Sequence, residues 1–176
     1  MNISQRLIIV LCFSLLTACA STHPLDRFVD EQKTRVSEKA AYVEADFDFW
    51  ASAMSPKNDD LTRLREAWQG HSEAFPESTA IKTLEREMSQ QASRVVLVSL
   101  FMTDYDKADL RDKAGGWTVS PTPVFMTELS ESDVVLRTLM PVRNAWARYF
   151  LLRYDEAGVN SVTVGNRTSK VGLPIR

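Results

Sequence analysis

Hydrophobic positions along this chain change period twice, and those changes divide it. The first apolar run, residues 7–16, reads Leu-Ile-Ile-Val-Leu-Cys-Phe-Ser-Leu-Leu without a charge, behind one cation at Arg6. At about 10 residues it is half of the ~20 needed to cross the hydrocarbon as a helix, so it reads as an export signal. From Leu25 the pattern becomes helical. Val36, Ala40, Val43, Phe47, Trp50 and Met54 recur in alternating steps of four and three, which predicts one face of a long helix with charges around the rest. Ser55-Pro56 ends that stretch and opens a second helix, with Asn58, Asp59 or Asp60 as caps and Leu61, Leu64 and Trp68 on its buried side. Gly70 and Pro76 close it, and a third helix is expected from about Ser78, burying Ile81, Leu84 and Met88.

The period then shortens. Residues 95–102, Val-Val-Leu-Val-Ser-Leu-Phe-Met, are apolar and rich in β-branched side chains, the pattern of a central strand covered on both faces. Residues 117–127 read as a strand that Pro121 and Pro123 push toward an edge. Further strands are expected at residues 134–140 and 145–154, and turn residues at 155–158 and 165–167 make residues 145–173 a three-stranded antiparallel meander. Helices first and strands after give an α+β fold: about three N-terminal helices packed on a C-terminal antiparallel sheet or small sandwich. Residues 25–176 form one such domain, helical over 25–92 and β-rich over 93–176, behind a leader at 1–18 and a tether at 19–24.

Leu16-Thr17-Ala18-Cys19 follows the apolar run and resembles the lipobox of bacterial lipoproteins: a branched apolar residue, two small ones, then cysteine. The resemblance implies cleavage between Ala18 and Cys19, a diacylglycerol thioether on the Cys19 sulfur and a third acyl chain on the freed amine. Two or more chains, at roughly 0.8 kcal/mol per buried CH2, anchor stably where one is marginal. Ala rather than Asp at position 20 implies sorting to the outer membrane, facing the periplasm. The chain has 2 cysteines, and loss of the leader removes Cys12, so no internal disulfide can form and a packed core must supply the stability.

Charge alters this picture little. The net charge is −2, with about five more acidic than basic groups over residues 20–92 and about two more basic over 93–176. That is not the basic footprint of a nucleic-acid binder.

Catalytic chemistry is sparse. The 2 histidines, His23 and His71, stand apart, and no nucleophile elbow, Ser-x-x-Lys pair, P-loop or dinucleotide fingerprint occurs. Asp46/Asp48 and Asp59/Asp60 are expected to flank helix ends, where capping and solvation account for them. Asp104, Asp106, Asp109 and Asp112 offer hard oxygen ligands of the kind Ca2+ takes. Against the EF-hand loop, however, the sixth position is Asp109 instead of Gly and the twelfth is Gly115 instead of Glu. Lys107, Arg111 and Lys113 interleave with the acids and neutralise them. No cofactor is implied.

Strand alternation places Trp146, Arg148, Phe150, Leu152 and Tyr154 on one face and Ala147, Tyr149, Leu151 and Arg153 on the other. Aromatics and arginine are the types enriched at interface hot spots, so Trp146, Arg148, Tyr149 and Arg153 are the candidates for contact with a protein partner. The competing reading has the rings in the core and the arginines reaching outward. Together these features predict a non-enzymatic, lipid-anchored accessory or scaffold subunit of an envelope assembly. The alternative is a lipoprotein that binds a small ligand or Ca2+. By fold-level analogy the chain is similar to the β-sandwich lipoprotein that anchors type VI secretion systems, in its lipobox, size and β-rich carboxyl half. It departs from that family in having about seventy helical residues before the strands.

Overall fold

The computed structural model describes residues 23–70, 74–90 and 93–175. It is an α+β fold with four α-helices and two antiparallel sheets. Helix α1 spans Pro24–Arg35, with proline in its first turn and the His23 ring accepting the Leu25 N–H at 3.2 Å. His23, expected in the tether, is therefore the cap of this helix, and its Nε2 lies 3.1 Å from the Gly70 carbonyl oxygen.

The long helix expected over residues 36–54 is a β-hairpin instead: β1 (Ser37–Val43) and β2 (Asp46–Met54). The reason lies in parity. A step of four keeps a residue on the same face of a strand as well as of a helix, so Val36/Ala40 and Trp50/Met54 satisfy both periods. Both odd steps, Ala40 to Val43 and Phe47 to Trp50, span the one irregularity of the ladder, where Ala41 and Tyr42 face Phe49 and Phe47, while the Glu44-Ala45 turn, with Glu44 at φ 56°, falls within a step of four. The expected split into helical and β-rich halves fails with this hairpin, because the sheet begins before the second helix.

Helices α2 (Asp60–Gln69) and α3 (Thr79–Met88) lie where the sequence puts them. Leu61, Leu64 and Trp68 are buried, and the Ser78 hydroxyl accepts the Ile81 N–H at 2.9 Å. Strand β3 (Arg94–Phe101) is followed by a short 3-10 turn (Tyr105–Lys107), β4 (Thr118–Ser120) and β5 (Phe125–Leu129). The single strand expected over 117–127 is thus two strands in different sheets, separated by Pro121 and Pro123. Residues 134–140, expected to be a strand, form helix α4 (Val134–Leu139), whose first turn is capped by the Asp133 carboxylate at 3.0 Å from two backbone N–H groups. Strands β6 (Arg148–Tyr154), β7 (Ser161–Gly165) and β8 (Lys170–Pro174) close the chain.

The larger sheet has the order β1-β2-β3-β6-β5 and the smaller β4-β7-β8. The expected meander is therefore divided: β7 and β8 pair as a hairpin, whereas β6 lies between β3 and β5. Two apolar clusters meet at β3. One gathers Val95 and Leu97 with Met54, Tyr149 and Leu151 and with residues of all four helices. The other gathers Val96, Val98 and Leu100 with Phe49, Phe150 and Leu152 and with Val162, Val164, Val171 and Leu173 of the small sheet. Small residues on β1 and β2, namely Ala41, Ala51 and Ala53, face that second cluster.

Two polar ties hold elements together where apolar packing cannot. Asp60, fully buried, accepts both of its 2.7 Å bonds from Arg35 Nη1 and a third, also 2.7 Å, from the Lys57 N–H. Arg35 Nη2 donates to the Ser55 carbonyl oxygen at 2.8 Å. At the far end of the hairpin the Asp48 carboxylate accepts from Asn166, Thr168 and Ser169 of the β7–β8 turn. Both acidic pairs thus contain one carboxylate in a structural bond network, beyond the solvation expected of them. Removing one partner of a buried ion pair strands the other charge, so Asp60→Ala is expected to cost about 3–5 kcal/mol in urea unfolding. An exposed control, Asp30→Ala, should stay within about 0.5 kcal/mol of the parent.

Candidate functional site

Antiparallel pairing brings the carboxyl ends of β1, β3 and β5 to the same edge of the large sheet as the amino ends of β2 and β6. The register fixes this end through Val43↔Asp46, Trp50↔Phe101, Leu100↔Arg148 and Leu129↔Tyr149. Five of the seven large hydrophobic side chains that are exposed among the described residues lie here: Tyr42, Val43, Phe47, Tyr105 and Trp146. Trp146 is 75 % exposed and Tyr42 57 %. Phe47 bridges the group, with its ring 6.2 Å from Tyr42 and 6.1 Å from Phe101. The adjacent Trp50 carries the Arg143 guanidinium 5.6 Å above its ring.

The same end is braced from beneath by a closed quartet of charges. Arg148 grips Glu128 with both arms of its fork, at 2.7 and 2.8 Å, and reaches Asp109 at 3.2 Å. Arg111 binds Asp109 at 2.8–2.9 Å and Glu128 at 2.5 Å. Two cations thus face two anions. Arg148 also stacks 5.4 Å from the Tyr105 ring, and the Tyr105 hydroxyl donates to Glu131, so the exposed aromatic is held in place by the quartet. The Arg111 guanidinium beside Asp109, with its N–H bond and the charge of Arg148, holds that carboxyl down at about 2 against partial burial.

Comparison of the chain with protein-family models, with characterised proteins and with solved structures gives no match to any of them. The site therefore rests on its own geometry.

That geometry redistributes the residues singled out in the sequence. Of the four partner-contact candidates on the 145–154 strand, Trp146 alone is exposed. Arg148 is buried in the quartet. Tyr149 is buried in the apolar cluster that includes the helices, its hydroxyl pushed up to about 12 by burial, with Glu38 adding to the rise and Arg137 opposing it. Arg153 pairs with the buried Glu87 at 2.7 Å and lies over Phe125. The aspartates do not converge either. Asp104 pairs with Lys107 at 2.9 Å, Asp109 belongs to the quartet, and Asp112 accepts the Gly115 N–H at 2.9 Å. Asp106 lies in the 3-10 turn. Among the described residues no group of three His, Cys, Asp or Glu is placed to hold a metal ion. Ala18 and Cys19 lie outside the described residues.

Tyr42, Val43 and Phe47 were hidden by the helical assignment of their segment. The signal for them is Asp46-Phe47-Asp48-Phe49, polar and aromatic in strict alternation.

Asp109 gives the quartet a pH signature. Its folded pKa lies below the 3.8 of the free side chain, so its contribution to stability is complete above about pH 4 and is lost as the pH falls through about 2. Asp109→Asn is expected to lower stability by about 1–2 kcal/mol at pH 7 and to flatten the acid limb between pH 4 and 2 in a pH series of urea melts. An unchanged acid limb would remove Asp109 from the quartet.

Proposed function

We propose that this chain is an outer-membrane lipoprotein, anchored through acyl chains on Cys19, whose body is a non-enzymatic interaction subunit. In this reading the helices cover one face of the five-stranded sheet and the small sheet covers the other. The aromatic end of the sheet is left to meet a protein partner in the periplasm. The observation that carries the reading is the gathering of Tyr42, Val43, Phe47, Tyr105 and Trp146 at one end of the sheet. Single exposed apolar residues are ordinary, whereas several at one end of a sheet, with Tyr42 and Phe47 in ring contact, are the kind of surface that serves as a contact site. Aromatic anchors of this kind dominate interface energetics. The lipobox resemblance of Leu16-Thr17-Ala18-Cys19 supports the anchor. No helix of the described residues is long and apolar enough to cross a membrane.

Photo-crosslinking amino acids placed at Tyr42, at Trp146 and, as a control, at Val124 on the opposite end of the sheet test the surface in intact cells. One protein adduct is expected from Tyr42 and Trp146 and none from Val124. Identical adducts from all three positions, or lipid adducts alone, would remove the aromatic end as a docking surface. The anchor has a separate readout. Metabolic labelling with an alkyne-bearing fatty acid should tag the parent chain, and Cys19→Ala should abolish the label and release the protein from the membrane fraction. Label that persists in Cys19→Ala contradicts the anchor.

A further inference from the structure

The two sheets are not sealed along one side. Leaving β4 in the small sheet, the chain turns through Pro121, Thr122 and Pro123 to reach β5 in the large one, and between these two edge strands lies a groove of about 350 Å³. Its apolar walls are Leu110, Trp117, Val119, Pro123 and Met126, and Thr118 and Thr122 also line it. Trp117 is the inner wall. Its ring meets Phe49 of the core at 5.2 Å, and its N–H donates to the Lys107 carbonyl oxygen at 2.7 Å, leaving no polar atom of the side chain for a ligand. Val119 and Met126 are only half-buried against the inter-sheet cluster, so the groove is an opening into that core.

The lining also carries charge. Lys113 lines the groove, and the stem of Arg167 crosses Gly116, another lining residue, whose φ of +87° and closeness to Arg167 leave no room for a Cβ. Arg167 donates one 2.6 Å bond to the Ala114 carbonyl oxygen. Neither cation forms an ion pair among the described residues. The nearest carboxylate in the loop, Asp112, is turned onto the Gly115 N–H.

The lining is mainly apolar, with one cation, Lys113, in it and a second, Arg167, against the lining residue Gly116. That combination complements a molecule with an apolar chain and an anionic head, whereas a neutral apolar molecule would gain nothing from the cations. The volume lies within the range of small-ligand sites. We propose that the groove between β4 and β5 binds a single-chain anionic amphiphile of the fatty-acid class, with the acyl chain against Trp117 and Met126 and the carboxylate between Lys113 and Arg167. This stands apart from the aromatic end and from the docking reading.

The test uses the full-length chain titrated with ω-bromo-undecanoic acid below its micelle concentration, because bromine quenches tryptophan fluorescence only on contact. Saturable quenching of part of the emission is expected, with a rise in Tm. The neutral ω-bromo-undecanol should bind roughly tenfold more weakly, and so should the acid to a Lys113→Glu, Arg167→Glu variant. Trp117→Phe should lose the quenchable component. Should that variant fail to fold, Trp146→Phe, exposed and far from the groove, should keep the quenching in full. Absence of saturable quenching overturns the proposal. So does equal affinity for acid and alcohol, indifference to the double charge reversal, or quenching that disappears with Trp146→Phe.

Discussion

Burial of β3 on both faces is the constraint from which the rest of the structure follows. A strand of Val, Leu and Ser with no solvated face must be covered twice, and its alternate residues enter two separate apolar clusters. Odd positions, Val95 and Leu97, meet residues of the helices; even ones, Val96, Val98 and Leu100, meet the small sheet. At roughly 25 cal/mol per Å² of buried apolar surface, neither cover can be dropped without exposing a row of β-branched side chains. The cluster that includes the helices does not reach the end of the strand, whereas the other continues through Leu100 to Met102. The cross-strand row Ser52, Ser99 and Tyr149 marks the change on the first face: on its inner side lie Met54, Leu97 and Leu151, and on its outer side Trp50 and Phe101, which belong to neither cluster. The ring contact of Phe101 with Phe47 lies beyond that row.

Charge inside the fold follows one rule. Arg35 is bound to Asp60, Arg148 to Glu128 and Asp109, and Arg153 to Glu87, each at hydrogen-bond distance and each joining elements distant in sequence. A planar guanidinium can hold a carboxylate with two parallel bonds while its stem lies along apolar side chains, which is why arginine rather than lysine occupies these positions. Pairing of this kind ties β6 to β5 through Arg148 and Glu128 and to α3 through Arg153 and Glu87.

Those same pairs explain what the sequence could and could not tell. The central strand and the second and third helices were readable, because their apolar periods persist over whole elements. The first hairpin was not. Its apolar steps of four serve helix and strand alike, and its turn, Glu44-Ala45, has neither the glycine nor the asparagine that announces a hairpin. Residues 134–139 are too short for a helical period to show itself against a run of Val, Val and Leu. The candidate site suffered from a different ambiguity. Arginine alternating with aromatics on one strand is the signature of an interface and equally of an internal salt-bridged strand, and only the partners Glu128, Asp109 and Glu87, far away in sequence, decide between them. Trp146 is exposed because it precedes the paired strand.

The segment from Met102 to Trp117 is where the two open surfaces meet. It leaves β3 at the aromatic end, places Tyr105 against Arg148, contributes Asp109 and Arg111 to the charged quartet, buries Ala108 and Leu110 in the inter-sheet cluster, and arrives at the groove with Lys113 and Trp117. A bond from Trp117 back to the Lys107 carbonyl oxygen ties its two ends together. An acyl chain entering beside Trp117 and a partner pressing on Tyr105 would therefore act on one continuous, internally braced loop. Energetic coupling between two sites needs an element with two arrangements that both sites bias, and contiguity alone does not supply one. The quartet ties Asp109 and Arg111 of this loop to Glu128 and Arg148, and Arg148 also lies over Tyr105, so these charge pairs are the contacts that join the loop to the aromatic end.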